Sequence, residues 1–383
     1  MEQFRIKKVE TKKELKEFIR LPERLYQGCP YYVPDMESEI EATFDPKKNP
    51  GLDFSDIQAF IAIDEKGSTV GRIAGIINHH ANEEWKVKTV RFSMIEFIDD
   101  IRVSKALLDA VMQWGREKGM DKIQGPMGIS DFDKEGMLVE DFDQMGSEVT
   151  IYNPPYYPLH LEQLGFQKEV DWIQYRIEVP ETVPERYAHA ARLVKELYGL
   201  KVRKLTRRQI LEEGYGKQIF DLLNEAYKPL FGFSALTDQQ ARMFLNSYLP
   251  LVDLNLVPVI FDREGKMVGL AITMGSISRA LQKSHGRLLP LGWFHLLKTL
   301  KFSHEDHAEL LLIAVRPDYQ GVGVTALVFE DLIPLYNRMH FTWAETGPQL
   351  EKNVKELSQW KSLTPKGYKR RRCFSKEITE NKK

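Results

Sequence analysis

A glycine-bearing turn in the C-terminal half of the chain contains the residues that point most directly to chemistry. The apolar run from Glu309 to Val315 predicts a buried strand, and Arg-Pro-Asp-Tyr-Gln-Gly-Val-Gly-Val-Thr after Val315 predicts a turn that opens a helix. Gly321 and Gly323 remove side chains that would block the backbone, so amide N–H groups and the positive end of the helix dipole converge on one point. Such a turn binds phosphate. The alternative is a plain strand-to-helix connection that uses its glycines for close packing.

Aromatic side chains suggest a second contact surface. In Asn153-Pro-Pro-Tyr-Tyr157 the prolines fix an extended entry to a helix, so Tyr156 and Tyr157 are candidates for substrate binding. The alternative is ordinary packing at the start of that helix.

An amphipathic stretch at 287–302 is the third candidate. Its apolar residues, including Trp293 and Phe294, are interrupted by His295, Lys298 and Lys301. This pattern suits a cover for a long acyl chain or a peripheral contact with a membrane surface, and the alternative is a helix packed on a neighbouring domain.

Composition places these segments in an ordinary globular protein. The 383 residues are 43% hydrophobic and 28% charged, and their number predicts two domains. Because 54 Lys and Arg balance 55 Asp and Glu, no overall field attracts nucleic acid. Cys29 and Cys373 are too few for a disulfide framework, and the charged start of the chain is unlike a signal peptide, so we expect a cytoplasmic protein.

The elements that carry these residues form a pattern that occurs twice. The N-terminal half predicts a helix, a β-hairpin, a strand, a second helix and a short strand, at 11–26, 57–77, 90–98, 103–118 and 122–126. The C-terminal half repeats this order around Glu309–Val315. Prolines between Ile177 and Pro184 indicate a linker, so we expect domains at 1–180 and 185–383, each an α/β mixed sheet with flanking helices.

The turn resembles the pyrophosphate loop of the GCN5-related N-acetyltransferase (GNAT) superfamily. That pattern has a Val and then Gln/Arg-x-x-Gly-x-Gly/Ala on the turn after the fourth strand. Val315, Gln320 and Gly323 match it, whereas Thr325 stands where the pattern has Gly or Ala. The Thr325 side chain would therefore narrow the phosphate site or donate its hydroxyl to it.

The resemblance extends over nearly the whole chain and is to one bacterial family of tandem GNAT-like proteins, the YghO-like family, to which bacterial ceramide synthase is related. The segments that carry it include Phe44-Asp-Pro-Lys-Lys-Asn-Pro50, Gly71-Arg-Ile-Ala74, Gly136-Met-Leu-Val139, Asn153-Pro-Pro-Tyr-Tyr157 and Leu164-Gly-Phe166. It implies N-acylation of an amine by acetyl-CoA or acyl-CoA. For the ceramide synthase branch it implies a sphingoid-base acceptor.

The resemblance also implies where CoA would bind. The N-terminal half has no Gln-x-x-Gly-x-Gly turn after its 91–100 stretch, so CoA is assigned to the C-terminal half. The implied pantetheine contacts are Ile313, Ala314, Val315 and Asn353, and the implied pyrophosphate contacts are Gln320, Gly321, Val322, Gly323, Val324 and Thr325.

N-acylation needs a group that takes a proton from the attacking amine. Glu309 is the first candidate, since it stands where histone acetyltransferases of the superfamily have a glutamate base. Strand alternation would also put it on one face with Ile313 and Val315. Glu345, at the end of the next strand, is the alternative. Where many members have a Tyr that protonates the leaving thiolate, this chain has Trp360, whose indole is not such an acid.

Two other interpretations stay open at this stage. A small-amine acetyltransferase would use acetyl-CoA, and a non-catalytic CoA-binding or scaffold protein would explain Thr325 and Trp360 together. The basic run Lys366–Arg372 is interpreted as a solvated strand end and not as a nucleic-acid site. The histidines at 79–80 and 304–307 lack partners at ligand spacing, so no metal site is expected. The oligomeric state is not predicted.

Overall fold

The computed structural model describes residues 4–301, 305–353, 360–363 and 365–378. Contacts within the chain divide these residues between two compact units. The first unit contains the chain up to Trp172, Ser278–His295 and the described residues from Lys369 on. The second unit contains Ile173–Ile277 and the described residues between Leu296 and Tyr368. This division differs from the expected boundary near 180, because the last strand of the chain pairs with strands of the first unit.

The first unit is built on a mixed sheet with helices packed on it. Its sheet runs in the order β1-β2-β3-β4-β5-β14, with β4 and β5 parallel and the other neighbours antiparallel. Its strands and helices are β1 Phe4–Lys8, α1 Lys12–Leu25, α2 Glu37–Thr43, β2 Ser55–Asp64, β3 Thr69–Asn78, α3 His79–Trp85, β4 Thr89–Phe97, α4 Ile101–Glu117, β5 Lys122–Gly125, β6 Met137–Glu140, α5 Tyr156–Gln163, α10 Ser278–Ser284 and, from Lys369 on, β14 Lys366–Glu377.

The second unit has the same kind of sheet, in the order β7-β12-β11-β10-β9-β8, in which β11 and β12 are parallel. Helices α12 and α6 supply about half of the buried residues in the apolar core on one face of it. Its elements are β7 Gln167–Glu178 from residue 173 on, α6 Glu185–Tyr198, β8 Lys201–Arg203, α7 Arg207–Glu212, α8 Tyr215–Tyr227, α9 Asp238–Tyr248, β9 Val259–Phe261, β10 Met267–Gly275, α11 Gly292–Lys301 from residue 296 on, β11 His307–Val315, α12 Val324–Arg338, β12 Trp343–Thr346 and β13 Gln349–Leu350.

Local sequence signals explain where these elements begin. Thr11 and Glu14 form a capping box at the start of α1, in which each side chain accepts a backbone N–H of the other residue. Thr206 and Thr237 start α7 and α9 in the same way. The expected hairpin is β2 and β3, and the expected helix after β4 is α4. The α/β mixed-sheet prediction is therefore confirmed.

The basic run at 366–372 is not a solvated strand end, so that interpretation is wrong. It forms the first half of β14, and Lys369 and Arg371 are almost completely buried. Lys369 Nζ donates to the carbonyl oxygen of Met145 at 2.7 Å, and Arg372 Nε donates to Asp171 Oδ1 at 2.9 Å. The charges are used inside the first unit, because buried cations need hydrogen-bonded partners.

Candidate active site

The turn between β11 and α12 has the backbone that an anion site requires. Gly321 has φ +82° and Gly323 has φ +100°, both in the left-handed region that favours glycine. Gly323 is the N-cap of α12 and makes no side-chain cap, so the first-turn amides of a 15-residue helix are not covered by a capping group. A Cβ built on Gly321 would meet no atom within 4 Å, which shows that this side of the turn is open.

Valines on either side of Gly323 anchor the turn to the core. Val324 is almost completely buried and lies against Gly269 of β10, where an added Cβ would come within 2.9 Å of Val324 Cγ1. Val322 also packs against the core. Gln320 Nε2 donates to the carbonyl oxygen of Val315 at 3.2 Å, which ties the turn back to the strand. The half-buried Thr325 is the second residue of α12, beside the open amides.

A β-bulge at Leu311 interrupts β11. Thr273 of β10 is opposite Leu310, whereas the adjacent Ile272 is opposite Leu312, so Leu311 is the extra residue. The bulge changes which side chains share a face. Ala308 and Leu310 pack on the same core as Ile313 and Val315. Glu309 therefore lies on the opposite face from Ile313 and Val315, and the expectation from simple alternation is wrong.

Beyond Leu310, β11 and β12 separate. His307 of β11 is opposite Trp343 of β12, and the pairing continues as far as Leu310, which is opposite Thr346. Gly347 N then donates to the carbonyl oxygen of Leu310 at 2.7 Å. The next short strand, β13, pairs with β7 instead. Within the described residues, no strand follows the outer edge of β11 past Leu310.

The polar backbone groups of Ile313 point toward this separated edge. Ala271, opposite Ile313, donates its N–H to Pro258 on its other side at 3.1 Å. Opposite residues of such an antiparallel pair turn their backbone groups away from each other, so those of Ile313 point away from β10. Tyr227, from the end of α8, donates its hydroxyl to the Ile313 carbonyl oxygen at 3.1 Å. Sequence reasoning missed the contact between Tyr227 and Ile313, because α8 precedes β11 by about 80 residues.

The two candidate carboxylates, Glu309 and Glu345, are brought together. They are directly opposite each other on the parallel strands β11 and β12, and each is only 4% exposed. Directly opposite residues put their side chains on the same face, with Cβ atoms about 5 Å apart. Gln174 of β7 donates to Glu345 Oε1 at 2.6 Å and to the carbonyl oxygen of Thr346 at 3.2 Å. This glutamine fixes the orientation of the Glu345 carboxylate and was not among the predicted residues.

The residues predicted after β12 have different positions. Asn353 donates its backbone N–H to Leu350 at 2.9 Å, and residues 354–359 lie outside the described part of the chain. Trp360 is buried against Phe329, and its indole N–H donates to Gln349 Oε1 at 2.8 Å. The indole therefore has a structural partner in the core.

In the first unit, Tyr156 and Tyr157 occupy the end of a bulged strand. Tyr157 is almost completely buried; its hydroxyl accepts the Phe97 N–H at 2.9 Å, and Tyr156 donates to the Phe97 carbonyl oxygen at 2.7 Å. The strand β4 also has a bulge, near Met94, and a parallel neighbour that pairs with it only from Thr89 to Arg91. The equivalent edge of β4 is thus covered by the protein's own side chains, which gives both tyrosines a packing role.

The turn after β4 also differs from the one after β11. Asp100 caps α4 by accepting the Arg102 N–H at 2.9 Å, so a carboxylate occupies the helix terminus that would hold an anion. Beside it, Glu96 Oε2 accepts hydrogen bonds from Tyr26 at 2.6 Å and Tyr157 at 2.8 Å. Burial raises the pKa of Glu96 to about 7, although Arg72 and both hydroxyls act in the opposite direction.

Trp293 and Phe294 lie at the start of α11 with half of each side chain exposed, and they contact each other edge to face.

Within the described residues, no group of three His, Cys, Asp or Glu has the arrangement of a metal site. No helix in the same part of the chain is long and apolar enough to cross a bilayer.

Comparison with known proteins identifies two sequence relatives. The chain is 28% identical to Protein YghO of Escherichia coli over 375 residues, which cover 96% of this chain and 94% of that protein. It is 29% identical to the bacterial ceramide synthase of Caulobacter vibrioides over 315 residues, or 82% of this chain and 80% of the relative. No family model matches the sequence.

Solved structures share the fold over nearly the whole length of the chain. A tandem GNAT protein from the clavulanic acid biosynthesis pathway superimposes with a TM-score of 0.57 at 11% identity and covers 99% of both chains. A GCN5-related N-acetyltransferase from Sphaerobacter thermophilus gives a TM-score of 0.52 at 11% identity, with 99% of this chain and 97% of that chain covered. At these identities the likeness establishes the fold.

Proposed function

We propose that this tandem GNAT-like protein transfers an acyl group from a CoA thioester to an amine, with CoA held by the second unit. The observation that carries the proposal is the open turn from Gln320 to Thr325. It lies at the end of a bulged strand whose outer edge pairs with no other strand beyond Leu310 in the part of the chain that the structure describes. The name of the relative bacterial ceramide synthase and the shared fold support the same class of reaction.

The diphosphate of CoA would lie on the amides from Gly321 to Thr325. The dipole of α12 and the first-turn N–H groups favour an anion at this point. Thr325 adds a hydroxyl beside the site, in a position where the GNAT pattern has a smaller residue. It can donate to a phosphate oxygen without disturbing the turn.

The pantetheine arm would follow the separated edge of β11. Ile313, Ala314 and Val315 supply this edge, and the outward groups of Ile313 can pair with the amides of the arm. Because Tyr227 already donates to the Ile313 carbonyl oxygen, its phenol lies where the arm would pass. Asn353 remains a proposed contact near the same arm.

The chemistry needs one proton acceptor and one proton donor. The amine nitrogen attacks the thioester carbonyl carbon, the C–S bond breaks, and the amine loses a proton while the thiolate gains one. The adjacent carboxylates of Glu309 and Glu345 are suited to take the amine proton, since two neighbouring carboxylates can share one proton. Trp360 cannot protonate the thiolate, and we assign that role to the Tyr227 hydroxyl.

The first unit would then be a GNAT-like domain without a CoA site. Its helix terminus is capped by Asp100, and Tyr156 and Tyr157 cover the strand edge that corresponds to the proposed pantetheine edge. Both differences disfavour an anionic cofactor there.

The acceptor is proposed by class. The relative named bacterial ceramide synthase supports a long-chain acyl-CoA donor and a sphingoid-base acceptor. A small amine with acetyl-CoA is the competing pair, and the two pairs differ in the length of the donor chain and the acceptor chain.

CoA binding is tested by thermal melting with free CoA, acetyl-CoA and a long-chain acyl-CoA. A ligand at 100 times its Kd stabilises the native state by about 2.7 kcal/mol. The informative variant is Thr325→Asp, because an acidic residue in the first turn is compatible with the helix dipole but repels a diphosphate. Substitution of Gly323 would instead strain the backbone at φ +100°.

Gln239→Asp is the matched control, since Gln239 is the exposed second residue of α9 and receives the same charge at the same helix position. We expect ligand-induced shifts in the wild type and the control and none in Thr325→Asp. Equal shifts in all three proteins would refute the proposed diphosphate site. Release of free thiol from acetyl-CoA or long-chain acyl-CoA, with a small amine or a sphingoid base, then identifies the substrate pair.

A further inference from the structure

Residues 288–297 expose several large apolar side chains, and we call this segment the apolar tip. Leu289 is 78% exposed, Leu291 is 64% exposed, and Trp293 and Phe294 are each about half exposed. Leu297, one turn further along α11, is also exposed. Large apolar side chains that are exposed together mark interaction sites, whereas single ones are common on any surface.

The tip has a defined shape. Trp293 N donates to the Leu288 carbonyl oxygen at 2.9 Å, and Phe294 N donates to that of Leu291 at 3.0 Å. The Trp293 indole N–H donates to the Pro290 carbonyl oxygen at 3.1 Å. The apolar side chains are therefore presented by a hydrogen-bonded turn and the first residues of a helix.

The segment before the tip, at 282–287, is hydrogen-bonded to other residues of the first unit. Gln282 Nε2 donates to the carbonyl oxygens of Pro30 and Tyr32, each at 2.9 Å. Glu37 N donates to the Gly286 carbonyl oxygen at 3.0 Å, and Arg287 Nε donates to Glu37 Oε1 at 2.7 Å. These bonds hold the polar residues before the tip in place, and the apolar residues after Arg287 are exposed.

The segment that carries the tip is basic, although one of its cations, Arg287, is paired with Glu23 and Glu37. From Ser276 to Lys301 the sequence contains five Lys and Arg and no Asp or Glu, although the whole chain has a net charge of only -1. Lys283, Lys298 and Lys301 are exposed. Basic residues near an apolar surface attract anionic lipid headgroups, and an indole with an apolar body and a polar N–H suits the interface of a bilayer.

We propose that the tip at 288–297 docks the protein on an anionic lipid bilayer, with its leucines and aromatic rings in the interface and the three lysines on the headgroups. This contact is additional to the proposed acyl transfer and does not depend on it. It requires no transmembrane helix.

The test is vesicle flotation of the full chain with phosphatidylcholine alone and with phosphatidylcholine containing about one third phosphatidylglycerol, an anionic fraction at which headgroup attraction is appreciable. We expect binding to the mixed vesicles, weaker binding to the neutral ones, and release at high salt as charges are screened. The variant Leu289→Gln/Leu291→Gln should bind at least about tenfold more weakly, since it removes two inserted apolar side chains.

Leu197→Gln/Leu211→Gln is the matched control, because these leucines are 67% and 55% exposed elsewhere on the surface. It should bind like the wild type, and Lys298→Gln/Lys301→Gln should lose the preference for anionic vesicles. Equal binding of both leucine variants, or no binding of the wild type, overturns the proposal. If the wild type forms dimers that Leu289→Gln/Leu291→Gln abolishes, and does not bind vesicles, the tip contacts a second copy instead.

Discussion

Glu96 should make the stability of the first unit depend on pH. Its carboxyl is buried between two tyrosine hydroxyls, and burial raises its pKa from 4.5 to about 7. Because the folded state binds the proton more tightly than the unfolded state, the stabilising contribution is complete below pH 4.5 and is lost as pH rises through 7. The difference of about 2.5 pKa units corresponds to roughly 3 kcal/mol.

The variant Glu96→Gln isolates this effect, since the amide stays neutral and its oxygen still accepts hydrogen bonds from Tyr26 and Tyr157. Between pH 5.5 and pH 8.5 the wild type should lose about 2 kcal/mol of unfolding free energy that the variant keeps, because ionisation below pH 5.5 accounts for the rest. Other, half-buried carboxyls, such as those of Glu39 and Asp131, also have a raised pKa, so only the difference between the two proteins reports Glu96.

The assay is urea unfolding of both proteins at several pH values, followed by a signal from the first unit. Glu84→Gln, at an exposed carboxyl on α3, serves as the control. Its unfolding free energy should change with pH as that of the wild type does. If the unfolding free energies of Glu96→Gln and the wild type change in parallel from pH 5.5 to 8.5, folding does not raise the pKa of the Glu96 carboxyl, and the reasoning is refuted.

Three further predictions concern the second unit. Glu309→Gln and Glu345→Gln should each lower kcat by roughly 100-fold or more while CoA-induced melting shifts persist, and unchanged kcat in both would remove the carboxylate pair from the mechanism. Tyr227→Phe should lower kcat and leave the KM for the CoA thioester nearly unchanged; a change confined to KM would indicate a binding role. Gly323→Ala should lower the free energy of unfolding by about 1–2 kcal/mol because of its positive φ. The loss should exceed that of Gly321→Ala, since the Cβ added at Gly323 would also come within 3.1 Å of Val194. Equal denaturant midpoints of the two variants would contradict this.

The sequence by itself determined the main elements around the candidate residues and the glycine-bearing turn between β11 and α12. Alternating and helical apolar patterns are local signals, so they predict strands and helices wherever the chain goes afterwards. The turn at Gln320–Thr325 is local in the same sense, because two glycines with positive φ act within a few residues. The absence of a Gln-x-x-Gly-x-Gly turn after β4 could be recognised from the sequence for the same reason.

Only the tertiary structure decided which side chains meet. The bulge at Leu311 reverses the faces of β11, so Glu309 does not share a face with Ile313, and the parallel register puts Glu309 beside Glu345 instead. The position of Tyr227 on the strand edge and the pairing of β14 within the first unit likewise join residues far apart in the chain. Register and long-range pairing are set by the packing of the whole sheet, and no local pattern records them.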